Sequence, residues 1–286
     1  MFRKIAVLFD FSWTSRQALE WAVHLASRFG SSLGVIHALS RREDGPETES
    51  RIQAEIDLKI RRLGEGRPPA SVSVHIHSGR TVDTLIASIE ADAPDLVVLG
   101  THGQTGLLHV LLGSVAEKIV RHSPSPTLVV KRGGAWPPRS LLIPVSFEDA
   151  AYEESLLAAS ELRGTLGVSV ELLHVTEPPQ AISYVPEAVI ALPPFDPDAA
   201  VMTALAKLRE ITSRHASLSL VPHAVVGQAA HEICLAAART GSDMILMPTH
   251  GLTGAARWLL GSVTEQVIRH APCSVLSFRP GRLAKG

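Results

Sequence analysis

Four residues late in the first half, Gly100, Gly103, Gly113 and Ser114, follow the spacing G-x2-G-x9-G-S. Glycines let backbone N–H groups approach an anion with no Cβ in the way. A helix opening after the last glycine adds unpaired N–H groups at the positive end of its dipole. Together they can make a phosphate cradle. Ser114 also opens Ser114-Val-Ala-Glu117, an S-x-x-E sequence with the form of a capping box, so its hydroxyl has a purely helical alternative. The same two alternatives recur at Gly251, Gly261 and Ser262, where Ser262-Val-Thr-Glu265 follows and Pro248 replaces the first glycine.

Other chemistries find less support. The chain has no GxxxxGK[ST], so no P-loop lysine reaches terminal phosphates, and no GxGxxG, HExxH or GxSxG. Eight of the thirteen histidines form four pairs at equivalent places in the two halves: His37/His174, His75/His223, His102/His250 and His122/His270. Descent from a common copy therefore accounts for their recurrence. His75 and His77 share one face of a strand, but two ligands do not make a metal site. Cys234 and Cys273 form no CxxC, and Cys273 falls in a strand-like apolar run that predicts a core position. Trp21 and Trp258 are predicted to pack rather than to stack on a ligand. With 27 Lys+Arg against 28 Asp+Glu, the net charge of -1 gives no reason to expect nucleic acid or an anionic membrane as partner. Asp10 interrupts the apolar start, and no run approaches a membrane span, so a cytoplasmic location is the expectation.

The elements that would position the cradle are legible from an internal repeat. Residues 99–132 align with 247–280 without a gap at 15 identities in 34 positions, including "THG", "LLGSV" and "RH". Each half alternates short Val/Ile/Leu-rich runs with amphipathic helical patterns, which predicts a parallel sheet covered on both faces. The fold class is α/β: two tandem doubly wound, five-stranded, Rossmann-like domains. They are predicted over residues 1–132 and 139–280, joined by a Gly/Pro linker over 133–138. Such sheets bind ligands beyond the carboxyl ends of the strands, where strand order reverses. The second half carries about eleven extra residues in a proline-rich run over 177–198, whose expected role is to cover or replace a ligand there.

The spaced glycines, the "THG.TG" loop and a first strand ending in Asp10 before a serine-containing turn resemble the universal stress protein (UspA) family in its tandem form. The resemblance implies an adenine nucleotide as ligand, usually ATP, alone or with Mg2+, in a protein of stress response with weak or no hydrolysis. It implies that Asp10 takes the carboxylate position at the nucleoside end, and that Ala38, at the end of the second strand, meets adenine through its backbone. Leu99 would line the pocket, while Gly100, His102, Gly103, Gly113, Ser114 and Val115 would receive ribose and phosphates. In the second half the equivalent positions are Ser146, Val175, Pro248, Gly251, Gly261 and Ser262. Proline has no N–H, and serine is a weaker acceptor than a carboxylate, so the second site is expected to be degenerate. A slow ATPase and a nucleotide-free scaffold remain as alternatives. The resemblance further implies pairing through the fifth strands, giving a pseudo-dimer within one chain and a homodimer as a further option.

Overall fold

A computed structural model describes residues 2–39, 46–64, 66–79, 81–101, 112–131, 133–134, 136–148, 150–179, 194–249 and 260–283. The first half runs β1(Lys4–Leu8), α1(Trp13–Phe29), β2(Ser32–Leu39), α2(Pro46–Leu63), β3(Ser71–Ser78), α3(Thr81–Asp92), β4(Leu96–Gly100), α4(Ser114–His122) and β5(Thr127–Val130). The second repeats it as β6(Ser140–Pro144), α5(Ala151–Leu166), β7(Ser169–Thr176), α6(Pro197–Arg214), β8(Val221–Val226), α7(Ala229–Thr240), β9(Met244–Pro248), α8(Ser262–His270) and β10(Ser274–Phe278).

The strands alternate between two core layers, as the period of a doubly covered sheet demands. Ile5, Val7, Leu96 and Val98 face one layer with α1 and α5; Ala6, Val97 and Leu99 face the other with α4 and α8. Helix α1 begins where the Ser12 hydroxyl accepts the Ser15 N–H at 3.2 Å, and ends where Gly30 turns left-handed at φ 67°.

All ten strands form one sheet in the order β3-β2-β1-β4-β5-β10-β9-β6-β7-β8. Pairing is parallel within each half, and β5 meets β10 antiparallel, Leu128 opposite Leu276 and Thr127 opposite Ser277. The hydroxyls of Thr127 and Ser277 hydrogen-bond across this seam at 3.0 Å in a buried setting. Each half would otherwise leave a short, largely apolar edge strand open to other chains, and the pairing buries both.

The connection between β5 and β6 folds down onto the seam. The Trp21 indole N–H donates to the Gly134 carbonyl at 3.2 Å, and Trp136 packs edge-on against Trp21 and flat on His24. Beneath it lies a void of about 10 Å³, lined by Trp21, Leu25, Leu128, Leu162, Met244 and Leu276 from both halves. It is wholly apolar and too small to hold a ligand.

Lys131, just beyond β5, reaches into the second half, where its Nζ donates to the Arg269 carbonyl at 3.1 Å. Burial, with a counter-effect from the Cys234 and Cys273 thiols, lowers its pKa to about 8 from 10.5. Between those values the unfolded chain binds more protons than the folded one, so stability contributed at this site increases with pH. From about pH 7 to about pH 9.5 the wild type should gain on the order of 2 kcal/mol relative to Lys131→Met. Urea unfolding of both proteins at the two pH values measures this; parallel pH dependences would contradict it.

Candidate functional site

The strand order reverses between β1 and β4, which puts Asp10 and Thr101, just past their carboxyl ends, at the reversal. Asp10 follows β1. Its Oδ1 accepts the Ser12 N–H at 3.0 Å while its own N–H donates to Ser15 Oγ at 3.3 Å. Phe11 between them takes φ 63°, a conformation costly for a bulky residue, which the two flanking hydrogen bonds hold in place. Ser12 is the α1 cap, its side chain accepting from the Ser15 N–H.

Gly100 ends β4 directly beneath the first turn of α1. A Cβ there would lie 2.6 Å from the carbonyl carbon of Thr14 and 2.7 Å from its oxygen. The glycine is thus required by protein packing on one side whatever lies on the other. One residue later the chain leaves the sheet, and it returns where the Gly113 N–H donates to the Thr101 carbonyl at 2.7 Å, closing the loop at its base. Helix α4 then starts. Its N-cap is Gly113, with no side chain bonded to the helix end among the described residues, and Ser114 and Val115 are exposed. The capping-box alternative therefore fails: Ser114 is the first helical residue rather than the cap, and Glu117 pairs elsewhere. The result is a helix N-terminus, with Gly113 as its N-cap, that opens directly after the chain closes onto Thr101.

Ala38, at the end of β2, and Leu99 belong to the same core layer as Leu112 and Ala116 on the approach to α4. Leu99 is 3% exposed, so its side chain supports the floor of the site. Phe9 is core, and its carbonyl accepts from His37 Nδ1 at 2.6 Å, tying β2 to the β1 end. The structure thus brings Asp10, Ala38, Leu99, Gly100, Gly113, Ser114 and Val115 to one edge. His102 and Gly103 lie outside the described residues, as does Gly251 in the second half. Trp258 and most of the proline-rich run also fall outside them.

The second half keeps the frame and changes the contents. The Gly261 N–H closes on the Thr249 carbonyl at 2.8 Å, and Gly261 is again the N-cap, with no side-chain bond among the described residues, before Ser262. Ser146 Oγ accepts the Glu148 N–H at 3.4 Å, repeating the turn without the carboxylate. Pro248 fits where its counterpart could not, because α5 begins at Ala151, five residues after Ser146, whereas α1 begins three after Asp10. The Pro248 carbonyl accepts from Thr264 Oγ1 at 3.0 Å, a bond unavailable to Ala116 in the first half. At the end of β7, near Val175, His174 lies nearly parallel to Phe147 at 3.9 Å between ring centroids, and Lys207 Nζ lies 5.1 Å from the Phe147 ring centre. Burial lowers the His174 pKa, favouring the neutral ring, which donates from Nδ1 to the Val145 carbonyl at 2.8 Å.

His75 and His77 stack at 6.3 Å, but each ring bonds a serine, Ser73 and Ser88 respectively. Among the described residues no group of three or more histidines, cysteines or acids could hold a metal, and no helix is long and apolar enough to cross a membrane. Cys273 is buried in the core as its apolar run predicts, and burial raises its pKa to about 12. Sequence reasoning missed Thr14 and the Thr101 carbonyl. Thr101 stands in the repeated "THG" with Thr249, so the repeat itself carried a signal for it.

Two doubly wound halves joined in one sheet, each with a glycine-led helix at its strand-order reversal, define a class of protein. The model of the Universal stress protein family matches residues 1–131 and again 138–279. The chain belongs to the universal stress protein family. Universal stress protein E of Salmonella typhi is 24% identical over 98% of this chain and 95% of its own length. A universal stress protein of Methanocaldococcus jannaschii is 28% identical over 46% of this chain and 84% of its own length. The crystal structure of a universal stress protein from Archaeoglobus fulgidus DSM 4304 superposes with a TM-score of 0.69 at 18% identity, covering 98% of this chain and 99% of that one.

Proposed function

We propose that this universal stress protein acts by binding one adenine nucleotide, ATP with or without Mg2+, at the first-half site, and that the second half binds it weakly or not at all. The observation that carries the reading is the start of α4. A helix N-terminus with no side-chain cap among the described residues opens at Gly113–Ser114, where the chain closes onto Thr101, at the same sheet edge as the Asp10 carboxylate. Phosphates suit the first and nucleoside hydroxyls the second. The donor set fits such a ligand: Ser114 and the α4 N–H groups would hold phosphate, Asp10 would hold the ribose end, and any Mg2+ would arrive on the phosphates. Ser146 and Pro248 support an unequal division of labour between the halves. Binding rather than turnover fits the site, since the arginines on and around α4 among the described residues are engaged near its carboxyl half and across the seam rather than at its Gly113–Ser114 start.

Calorimetric titration with ATP tests this. The wild type should bind close to one nucleotide per chain. Asp10→Asn keeps an acceptor for the Ser12 N–H but removes the charge, and should weaken affinity about tenfold. Ser114→Ala should weaken it by a similar factor, and Ser262→Ala should leave it unchanged. Two equal sites, or no response to Asp10→Asn and Ser114→Ala, would refute the assignment. Release of phosphate with Mg2+ at a rate that depends on Asp10 would favour a slow ATPase instead.

A further inference from the structure

The two helices that open at the candidate sites are held from behind by each other's domains. Across the seam Arg121 of α4 pairs with Glu265 of α8 at 3.1 Å, and Arg269 of α8 pairs with Glu117 of α4 at 3.5 Å. Within each helix the same residues close a ring of alternating charge, Glu117 with Arg121 at 3.5 Å and Glu265 with Arg269 at 3.3 Å. The carboxyl ends are crossed as well. Arg279, just past β10, donates to the Arg121 carbonyl at 3.3 Å, while Lys131, just past β5, donates to the Arg269 carbonyl. Arg279 and Lys131 occupy equivalent places in the repeat. Each therefore places a cation at the negative end of the other domain's helix, where it satisfies a terminal carbonyl and complements the dipole.

Helix α4 has only nine residues, so its carboxyl-terminal clasp and its amino-terminal ligand face are two turns apart. We infer that Arg279 and Glu265 of the second domain are positioning residues for the phosphate end of the first domain's site, and that the degenerate copy is retained to hold α4 in place. This inference rests on the nucleotide-binding reading given above. A rigid, short helix clamped at its far end keeps its first N–H groups aimed without rearrangement when an anion arrives, and loosening the clamp would require ordering on binding.

The crossing gives a test that a general loss of stability would not mimic. ATP titration and amide hydrogen exchange without nucleotide are measured on the full chain for wild type, Arg279→Met, Arg279→Lys, Glu265→Gln and Lys131→Met. Arg279→Met and Glu265→Gln should each weaken ATP binding roughly fivefold, although both lie in the other domain. Arg279→Met should also speed exchange in α4. Arg279→Lys should restore both, because lysine already performs the equivalent task at position 131. Lys131→Met should speed exchange in α8 and leave ATP affinity unchanged, although it lies in the first domain. Equal effects of Arg279→Met and Lys131→Met on both helices, or none on either, would overturn the inference. If the wild type binds no ATP but the crossed exchange pattern holds, the nucleotide reading falls and the crossed clasp stands. If ATP binds and Arg279→Met leaves its affinity unchanged, the positioning role falls and the nucleotide reading stands.

Discussion

Gly100→Ala is expected to destabilise the protein by about 2–3 kcal/mol, and Gly100→Pro by more, with nucleotide affinity lost as a consequence of damage rather than of a missing contact. A Cβ at this position meets backbone, the carbonyl carbon and oxygen of Thr14 at 2.6 and 2.7 Å, rather than the end of a side chain that could swing aside. Relief requires α1 to lift or β4 to shift; β4 is buried over residues 96–99, and α1 buries Thr14, Ser15, Ala18 and Leu19 against it. In the second half the helix start has already retreated, so Pro248→Gly should change stability by less than about 1 kcal/mol and should create no new nucleotide site, because Ser146 still lacks the carboxylate. Urea unfolding of the three variants separates these outcomes. A Gly100→Ala protein as stable as wild type would mean that α1 does not press on β4 as the structure has it. For the same reason Asp10→Asn and Ser114→Ala are sounder tests of the site than any change at Gly100.

Much of this architecture was readable because the repeat repeats its physics. Apolar runs marked the strands, Gly30 marked the end of α1, and the glycine spacing marked the place where α4 begins. Three features escaped for identifiable reasons. The role of Gly100 depends on Thr14, which is 86 residues away in sequence and reveals its proximity only when α1 packs over β4. The S-x-x-E pattern suggested local capping, but tertiary contacts took both glutamates: Glu117 and Glu265 face cations of the opposite helix as well as their own. A short-range motif has no means of recording a partner in the other domain. The third is the linker. Its glycines and prolines predict a connector, and nothing in that pattern records that Trp136 within it packs on Trp21 and His24.

That packing sets the second large expectation. Trp21→Ala should destabilise the protein by about 3–5 kcal/mol. Trp21 is 1% exposed and lies at the seam, with Leu128 of the first half and Met244 and Leu276 of the second lining the same small void. Two effects contribute, and their sizes differ. Removing an indole from a close-packed apolar setting forfeits burial of about 200 Å² at about 25 cal/mol per Å², on the order of 5 kcal/mol before relaxation. Losing the hydrogen bond to the Gly134 carbonyl forfeits about 1 kcal/mol. Burial should therefore dominate, and Trp21→Phe, which keeps most of the area and loses the bond, should fall well short of the alanine effect, at about 1–2 kcal/mol. Denaturant unfolding followed by far-UV circular dichroism reads both. If the phenylalanine variant were as unstable as the alanine one, the tie between α1 and the linker carbonyl, rather than apolar burial, would be what joins the two halves at this point. Because the void borders both domains, Trp21→Ala should also separate a single cooperative transition into two, the first reporting loss of the seam and the second the unfolding of the domains it had joined.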